Sequence, residues 1–296
     1  MAREAHVIAH AKVNLELLVL AREGSGYHAL QTVFHRLEIG DLIRVRVDVA
    51  GRTLDCAGPE MPSEGLGPIE RNLAWRAAEA YMAAAGWPAG FEIAIEKRIP
   101  AGGGLGGGSA DAGAVLRALD ALNPHPLGGE RLLQLATPLG ADVPFLTTEQ
   151  VHALAWSRGE RLLPLDPLPE RPVALLLPPF PSPTAEAYRF LSAARGDWTP
   201  TATVVPPAEL LDWDAVARRA RNDFQPVLLA RHPQLGEGLE QLRRGGARLA
   251  MLAGSGSTLF GVFDPDTDPA AVTDSAAGRV VWTRTLRRVV GVEPIG

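Results

Sequence analysis

The chain has 296 residues, of which 46% are apolar and 21% charged, with a formal net charge of −5. That is length for one large domain or two ordinary ones and the composition of a soluble globular protein, with no electrostatic footing for a nucleic-acid partner. A single cysteine, Cys56, excludes an intramolecular disulfide framework, and no metal-type Cys/His cluster, 18-residue apolar run or signal-peptide pattern is present, so the expectation is a cytoplasmic protein with no membrane partner.

Val7 to Leu20 is predicted to be a strand. Ala9, Ala11, Val13, Leu15, Leu17 and Val19 fall on one face, His10, Lys12, Asn14 and Glu16 on the other. This places Lys12 and Asn14 side by side. Of the 29 basic residues only Lys12 and Lys97 are lysine, and a lysine kept among arginines marks a place where a compact ammonium is wanted. A solvated strand face and chance are the competing readings. Tyr27 and His28 follow in a glycine-containing turn, where the bland reading is a capped core tyrosine.

Phe91 to Ile99 alternates as a half-buried strand, with Lys97 read as a surface charge. The sequence then runs Pro100-Ala101-Gly102-Gly103-Gly104-Leu105-Gly106-Gly107-Gly108-Ser109-Ala110 into a helical pattern with apolar Val115, Leu116, Leu119 and Leu122. Six of the seven residues from Gly102 to Gly108 are glycine. A run so dense gives up backbone entropy at every position. Its use between a strand and a helix is to turn N–H groups together onto an anion at a helix N-terminus. The loop lacks the Lys-Ser/Thr ending of a Walker motif. Gly102, Gly104 and Gly107 fit GxGxxG, but the preceding strand is amphipathic and no second strand follows promptly, which argues against a dinucleotide fold.

A second helical stretch covers Arg131–Thr137, and Leu139 to Phe145 punctuates its end. Asp142 there is either a turn or cap residue or an acid held in a partly dry site. Phosphoryl transfer to a hydroxyl needs a carboxylate near the nucleophile and positive charge around the phosphates, and Asp142, Lys12 and the glycine loop supply those parts. Eight prolines lie between Pro164 and Pro183, around a short apolar strand at Val173–Leu177. The crossing between two domains is read just before them, giving units of 1–158 and 159–296. Thr199–Pro207 reads as an exposed loop. Arg248–Phe263 reads as strand, Gly254–Ser257 turn, strand, with the turn either lining the phosphate side of a cleft or closing a plain hairpin.

These motifs, in this order, resemble the GHMP kinase superfamily, whose phosphate loop has the form Pro-x-Gly-x-Gly-x-Gly-Gly-Ser-Ser. The likeness covers nearly the whole chain: Ala11-Lys12-Val13-Asn14-Leu15, Gly26–Thr32, Asn72-Leu73, Gly140–Pro144, Asn222-Asp223-Phe224 and Ala253–Gly256. It is nearest to the branch whose acceptor is a cytidine-bearing sugar alcohol of non-mevalonate isoprenoid precursor synthesis. The resemblance implies an α+β architecture, with an N-terminal ribosomal-protein-like α/β domain and a C-terminal ferredoxin-like domain. It implies ATP as phosphoryl donor with Mg²⁺, whose protein ligands the sequence does not name, and a small-molecule acceptor.

By the same resemblance Lys12 and Asp142 form the catalytic pair, and Pro100 to Ala110 wrap the ATP phosphates. Asn72 lies near the adenine, Asn14 contacts the sugar alcohol, and Tyr27, His28, Thr184 and Tyr188 lie at the cytidine, Tyr27 and Tyr188 as a ring sandwich. Ser109-Ala110 stands where the family has Ser-Ser, so one hydroxyl is lost. Two other readings stay open: another small-alcohol kinase of the superfamily, and a non-catalytic RNA-binding protein on a related fold, against which net acidity and the Lys12/Asp142 pair argue.

Overall fold

The computed structural model describes residues 3–22, 28–87, 90–196 and 205–295. Two long strands organise its first half. β1 (Arg3–Arg22) and β2 (His28–Val49) pair antiparallel along most of their lengths. Both exceed ordinary strand length because each serves more than one neighbour. β3 (Arg52–Ala57) pairs parallel with β4 (Gly90–Glu96), which lies on the far half of β2. β5 (His152–Ser157) lies on the near half of β2 and forms a hairpin with β6 (Arg161–Pro164).

The alternation expected from Val7 to Leu20 is present, but its polar side is not a solvated face. His10, Lys12, Asn14 and Glu16 are all buried. A helical layer of α1 (Leu73–Ala85), α2 (Gly107–Leu122), α3 (Gly129–Ala136) and α4 (Val143–Thr147) covers the sheet, with α2 packed on β1 and β2, while Glu16 is met from the second half of the chain by Arg219 at 3.3 Å. The β1–β2 ladder slips between His10 and Lys12 and again between Asn14 and Glu16. Irregularities of this kind bend a strand and re-aim its side chains, and here they bracket Lys12 and Asn14.

The second sheet is antiparallel, in the order β11 (Arg279–Arg284), β7 (Pro172–Leu177), β10 (Leu259–Val262), β9 (Leu249–Leu252). This is the strand order of a ferredoxin-like sandwich. Its first crossover carries α5 (Thr184–Arg195), α6 (Trp213–Arg219), α7 (Phe224–Arg231) and α8 (Gln234–Arg244), whereas the second has only a 3₁₀ turn at Pro269–Ala271. The turn at residues 158–160, where the sequence places the junction of two units, lies inside the β5–β6 hairpin of the first sheet; the second sheet begins at β7. Of the loop expected at Thr199–Pro207, residues 199–204 lie outside the described residues.

The second half also returns to the first. β8 (Arg221–Asn222) pairs parallel with Glu16 and Leu17, and β12 (Glu293–Ile295) lies on the free edge of β1. Leu17 and Val19 pack with Leu176, Phe224, Leu239 and Leu259 in the second core, whereas Val13 and Leu15 belong to the first, with Phe34, Leu116 and Phe145. Each such side chain fully buried contributes about 1.5–3 kcal/mol, so β1 is anchored in both cores. Lys12 and Asn14 sit on this shared strand, where the two halves meet.

Candidate active site

α2 starts at Gly107, earlier than the Ala110 its apolar spacing indicates, so the last glycines and Ser109 form its first turn. Gly106 is the N-cap and no side chain caps this end. The first N–H groups of a helix lack intrahelical partners and carry the positive end of its dipole, which suits them to phosphate oxygens. The loop is pinned on two sides: the Lys12 amide donates to Leu105 O at 3.0 Å, and the Thr258 amide to Gly103 O at 3.3 Å.

Two glycines permit close approach. A Cβ on Gly104 would lie 2.0 Å from Ala253 O, and one on Gly106 would lie 3.0 Å from Lys12 Cε; both residues have positive φ. The loop is thus built around the lysine and against the Gly254–Ser257 turn. That turn lines the cleft: Gly254 and Gly256 lie there with Lys12 and Gly106.

Lys12 Nζ donates to Asn14 Oδ1 at 2.8 Å and lies 3.2 Å from Asp142 Oδ2. Asn14 in turn donates to Thr32 Oγ1 at 2.7 Å, and Thr32 donates to Glu16 O at 2.6 Å. This chain fixes the ammonium from behind. Asp142 is the N-cap residue of α4, as its Gly-Pro flanks suggest, yet its side chain makes no cap hydrogen bond and faces Lys12. Lys12 is 3% exposed and Asp142 29%, so the carboxylate is the member of the pair open to a ligand.

The cleft holding this pair has a volume of about 500 Å³. At its far end the Tyr188 ring, on α5, stacks on His28 with centroids 4.8 Å apart and meets Phe224 edge-on at 4.9 Å. Burial, helped by nearby Asp142, pushes the Tyr188 hydroxyl up to about 12, so it stays protonated and available as a donor. Thr184 Oγ1 lies 2.9 Å from Ser255 Oγ, and Ser182 donates to Ser255 O at 3.0 Å, joining the start of α5 to the turn. Tyr27 lies outside the described residues; the ring found on Tyr188 is that of His28.

Pro100, Ala101 and Asn72 border a separate hollow of about 230 Å³ on the other side of the glycine loop. Asn72 also caps α1, its Oδ1 accepting from the Ala74 amide at 2.9 Å. Ala110 does not reach the cleft: its methyl is in the first core and its amide donates to Gly106 O.

Lys97 corrects the surface-charge reading. It is buried, paired with Asp41 and, at 2.7 Å, with Asp111 of α2. Asp41 Oδ1 also accepts from the amides of Arg98 (2.5 Å) and Ile99 (2.8 Å), so the cluster clamps both ends of the loop. Burial works to lower the Lys97 ammonium, but the two carboxylates outweigh it and raise it. Burial pushes Asp111 up to about 8; Asp41 adds to this against the pull of Lys97. Strand alternation gives no hint of this cluster, because α2 is what covers Lys97.

Asn222 is a second residue whose task the sequence leaves unstated. Its Nδ2 donates to Leu252 O and Gly254 O, both at 2.8 Å, and its Oδ1 accepts from the Phe224 amide at 2.9 Å. It braces the turn against which the loop packs. Among the described residues no group of three or more His, Cys, Asp or Glu could hold a metal ion, and no helix is long and apolar enough to cross a membrane.

Residues 72–150 match the family model of the GHMP kinases N terminal domain, and residues 207–279 that of the GHMP kinases C terminal region. The chain is 38% identical over 283 residues to 4-diphosphocytidyl-2-C-methyl-D-erythritol kinase of Geobacter sp. (strain M21), covering 95% of this chain and 96% of that one. It is also 38% identical over 260 residues to the kinase of that name from Pelotomaculum thermopropionicum, covering 86% and 88%. A crystal structure of 4-(cytidine 5'-diphospho)-2C-methyl-D-erythritol kinase superposes with a TM-score of 0.74 at 37% identity, covering 95% of this chain and 98% of that one. A homoserine kinase from Cytophaga hutchinsonii, at 18% identity and a TM-score of 0.69, shares the fold.

Proposed function

Because the chain belongs to the GHMP kinases, and within them to the 4-diphosphocytidyl-2-C-methyl-D-erythritol kinases, we propose how its residues divide the work of that reaction. The enzyme moves the γ-phosphoryl of ATP onto the 2-hydroxyl of the cytidyl sugar alcohol, in non-mevalonate isoprenoid precursor synthesis. In this reading the amides of Gly107 to Ser109 hold the phosphates at the helix N-terminus. The acceptor hydroxyl lies against Asp142, whose carboxylate orients it and takes its proton. As the new phosphorus–oxygen bond forms, the bond to the β-phosphate oxygen breaks and ADP leaves. Lys12, 3.2 Å from Asp142, balances charge on the attacking oxygen and the γ-phosphoryl. A positioned base of this kind contributes about 10²–10⁴-fold in rate.

His28, Tyr188 and Thr184 are proposed to hold the cytidine, Asn14 the sugar alcohol, and Asn72 the adenine side. Mg²⁺ is proposed to arrive on the nucleotide, where it neutralises phosphate charge. The lack of an acidic cage among the described residues fits a metal held mostly by phosphates, and the Ser109 hydroxyl would be its nearest side-chain contact in the loop. The enzyme is proposed to work in the cytoplasm.

The observation that carries this reading is the Lys12–Asp142 pair at 3.2 Å beside a glycine-built helix N-terminus. A coupled ADP-release assay tests it. Turnover is expected with the cytidyl substrate and not with galactose, homoserine or mevalonate; turnover of one of those alcohols in its place would reverse the assignment.

A further inference from the structure

Between Gly102 and Gly108 only Leu105 carries a side chain. The loop therefore has almost no means of holding its own shape, and glycine gives up more conformational freedom on ordering than any other residue. Amides that stabilise phosphate charge must nonetheless be set in place beforehand. The Lys12 and Thr258 amides hold the middle of the loop. Beneath its last part, the first turn of α2, lies the side chain of Lys97. A Cβ on Gly107 would stand 3.6 Å from Lys97 Nζ and 3.3 Å from Ile99 Cγ2, so the ammonium is one glycine's thickness from that turn.

Lys97 is itself held at both ends. Its amide donates to Ala57 O (2.6 Å), and its carbonyl accepts from the Glu60 amide (3.1 Å). Its ammonium is buried between two carboxylates. Asp41 also accepts from the Arg98 and Ile99 amides, where the loop begins. Asp111, at 2.7 Å, lies one turn beyond Gly107 on α2. The side chain thus spans from the strand before the loop to the helix after it.

An ion pair alone does not explain the choice of residue. Of the 29 basic residues all but two are arginine, and both lysines lie against this loop, Lys12 at Gly106 and Lys97 at Gly107. Arginine is longer and presents its donors in a rigid planar fork, whereas an ammonium is compact and turns three donors freely. Two carboxylates from different elements, with a glycine turn at contact distance, suit the compact group.

We propose that Lys97 is a positioning residue for ATP: held between Asp41 and Asp111, its ammonium supports the first turn of α2 from beneath and fixes where the Gly107–Ser109 amides meet the phosphates. The inference rests on the reading of that turn as the phosphate site. Lys97 acts through the backbone of the loop, not by touching the transferred group.

Lys97→Arg keeps the charge and both carboxylate partners and is the direct test. Calorimetric titrations with a non-hydrolysable ATP analogue and with adenosine are read beside steady-state kinetics. Binding of the analogue is expected to weaken about tenfold or more, with the KM for ATP raised by the same factor. Adenosine binding and the KM for the cytidyl substrate are expected to stay within about twofold of wild type. Lys97→Met combined with Asp111→Asn, which removes one charge of each sign, is expected to behave likewise and serves if Lys97→Arg does not fold. Wild-type affinity for the analogue in a folded variant overturns the proposal. So does an equal loss for adenosine, which would put the effect at the base and not at the phosphates. A lowered melting temperature with an unchanged KM for ATP assigns Lys97 to stability alone and overturns it too. If the wild type binds adenosine as tightly as the analogue, the phosphate-site reading itself fails, and the inference with it.

Discussion

Asp142→Asn removes one negative charge and a proton acceptor from the cleft while keeping the side chain's size. The stability cost follows from what Asp142 touches. Its one ion pair is with Lys12 at 3.2 Å, and its side chain is 29% exposed, so water already screens part of the attraction and the loss is about 1 kcal/mol. Lys12 retains Asn14 Oδ1 at 2.8 Å, so its buried ammonium is not left without an acceptor. For a chain of this size the melting temperature should fall by about 1–2 °C. The effect on turnover is of another order. Loss of the base that receives the hydroxyl proton should lower kcat by about 10²–10⁴-fold, or about 3–5 kcal/mol of transition-state stabilisation. The KM for ATP should change less than about twofold, because the proposed phosphate contacts are backbone amides of α2. The coupled ADP-release assay reads both constants, and a circular dichroism melt reads stability. A variant that melts like the wild type and turns over within threefold of it would refute the assignment of Asp142 as base.

Other consequences concern the supports of the site. Gly106→Ala adds a Cβ 3.0 Å from Lys12 Cε at a position with φ +77°; strain of about 1–2 kcal/mol and a displaced lysine should lower kcat tenfold or more, and full activity would show that the ammonium need not sit there. Asn222→Ala strips donors from Leu252 O and Gly254 O; a loss of about 2–3 kcal/mol and reduced turnover are expected in a urea melt and kinetic assay, and unchanged stability would remove its bracing role. Asp111 binds its proton more tightly folded (about 8) than unfolded (3.8), so its contribution is full below pH 4 and is lost as pH rises through 8. Wild-type stability should therefore fall as pH rises from 6 to 9, while Asp111→Asn should show a flatter pH profile; parallel profiles would mean that another group titrates.

The sequence alone was enough to find the glycine loop, the strand before it and the helix after it, and to join them into one strand–loop–helix unit. It was also enough to place Lys12 beside Asn14 and to flag Asp142 between its glycine and proline. These features are local: backbone freedom, side-chain period and turn chemistry depend on residues a few positions apart. Lys97 shows the limit. Alternation assigns it to the outer face of a strand, and only the packing of α2 turns that face into an interior where Asp41 and Asp111 must meet its charge. His10, Arg36 and Arg117 likewise give no sign of burial in the sequence and lose their water only when sheet and helix close on them. The cleft is of this second kind, since Lys12, Asp142, Tyr188 and Gly254 come from separate stretches that β1 draws together by entering both cores. Which charges lose their water, and which side chains from distant segments share one space, is set by the path of the folded chain, because burial and Coulomb attraction act through space and leave no periodic trace along the sequence.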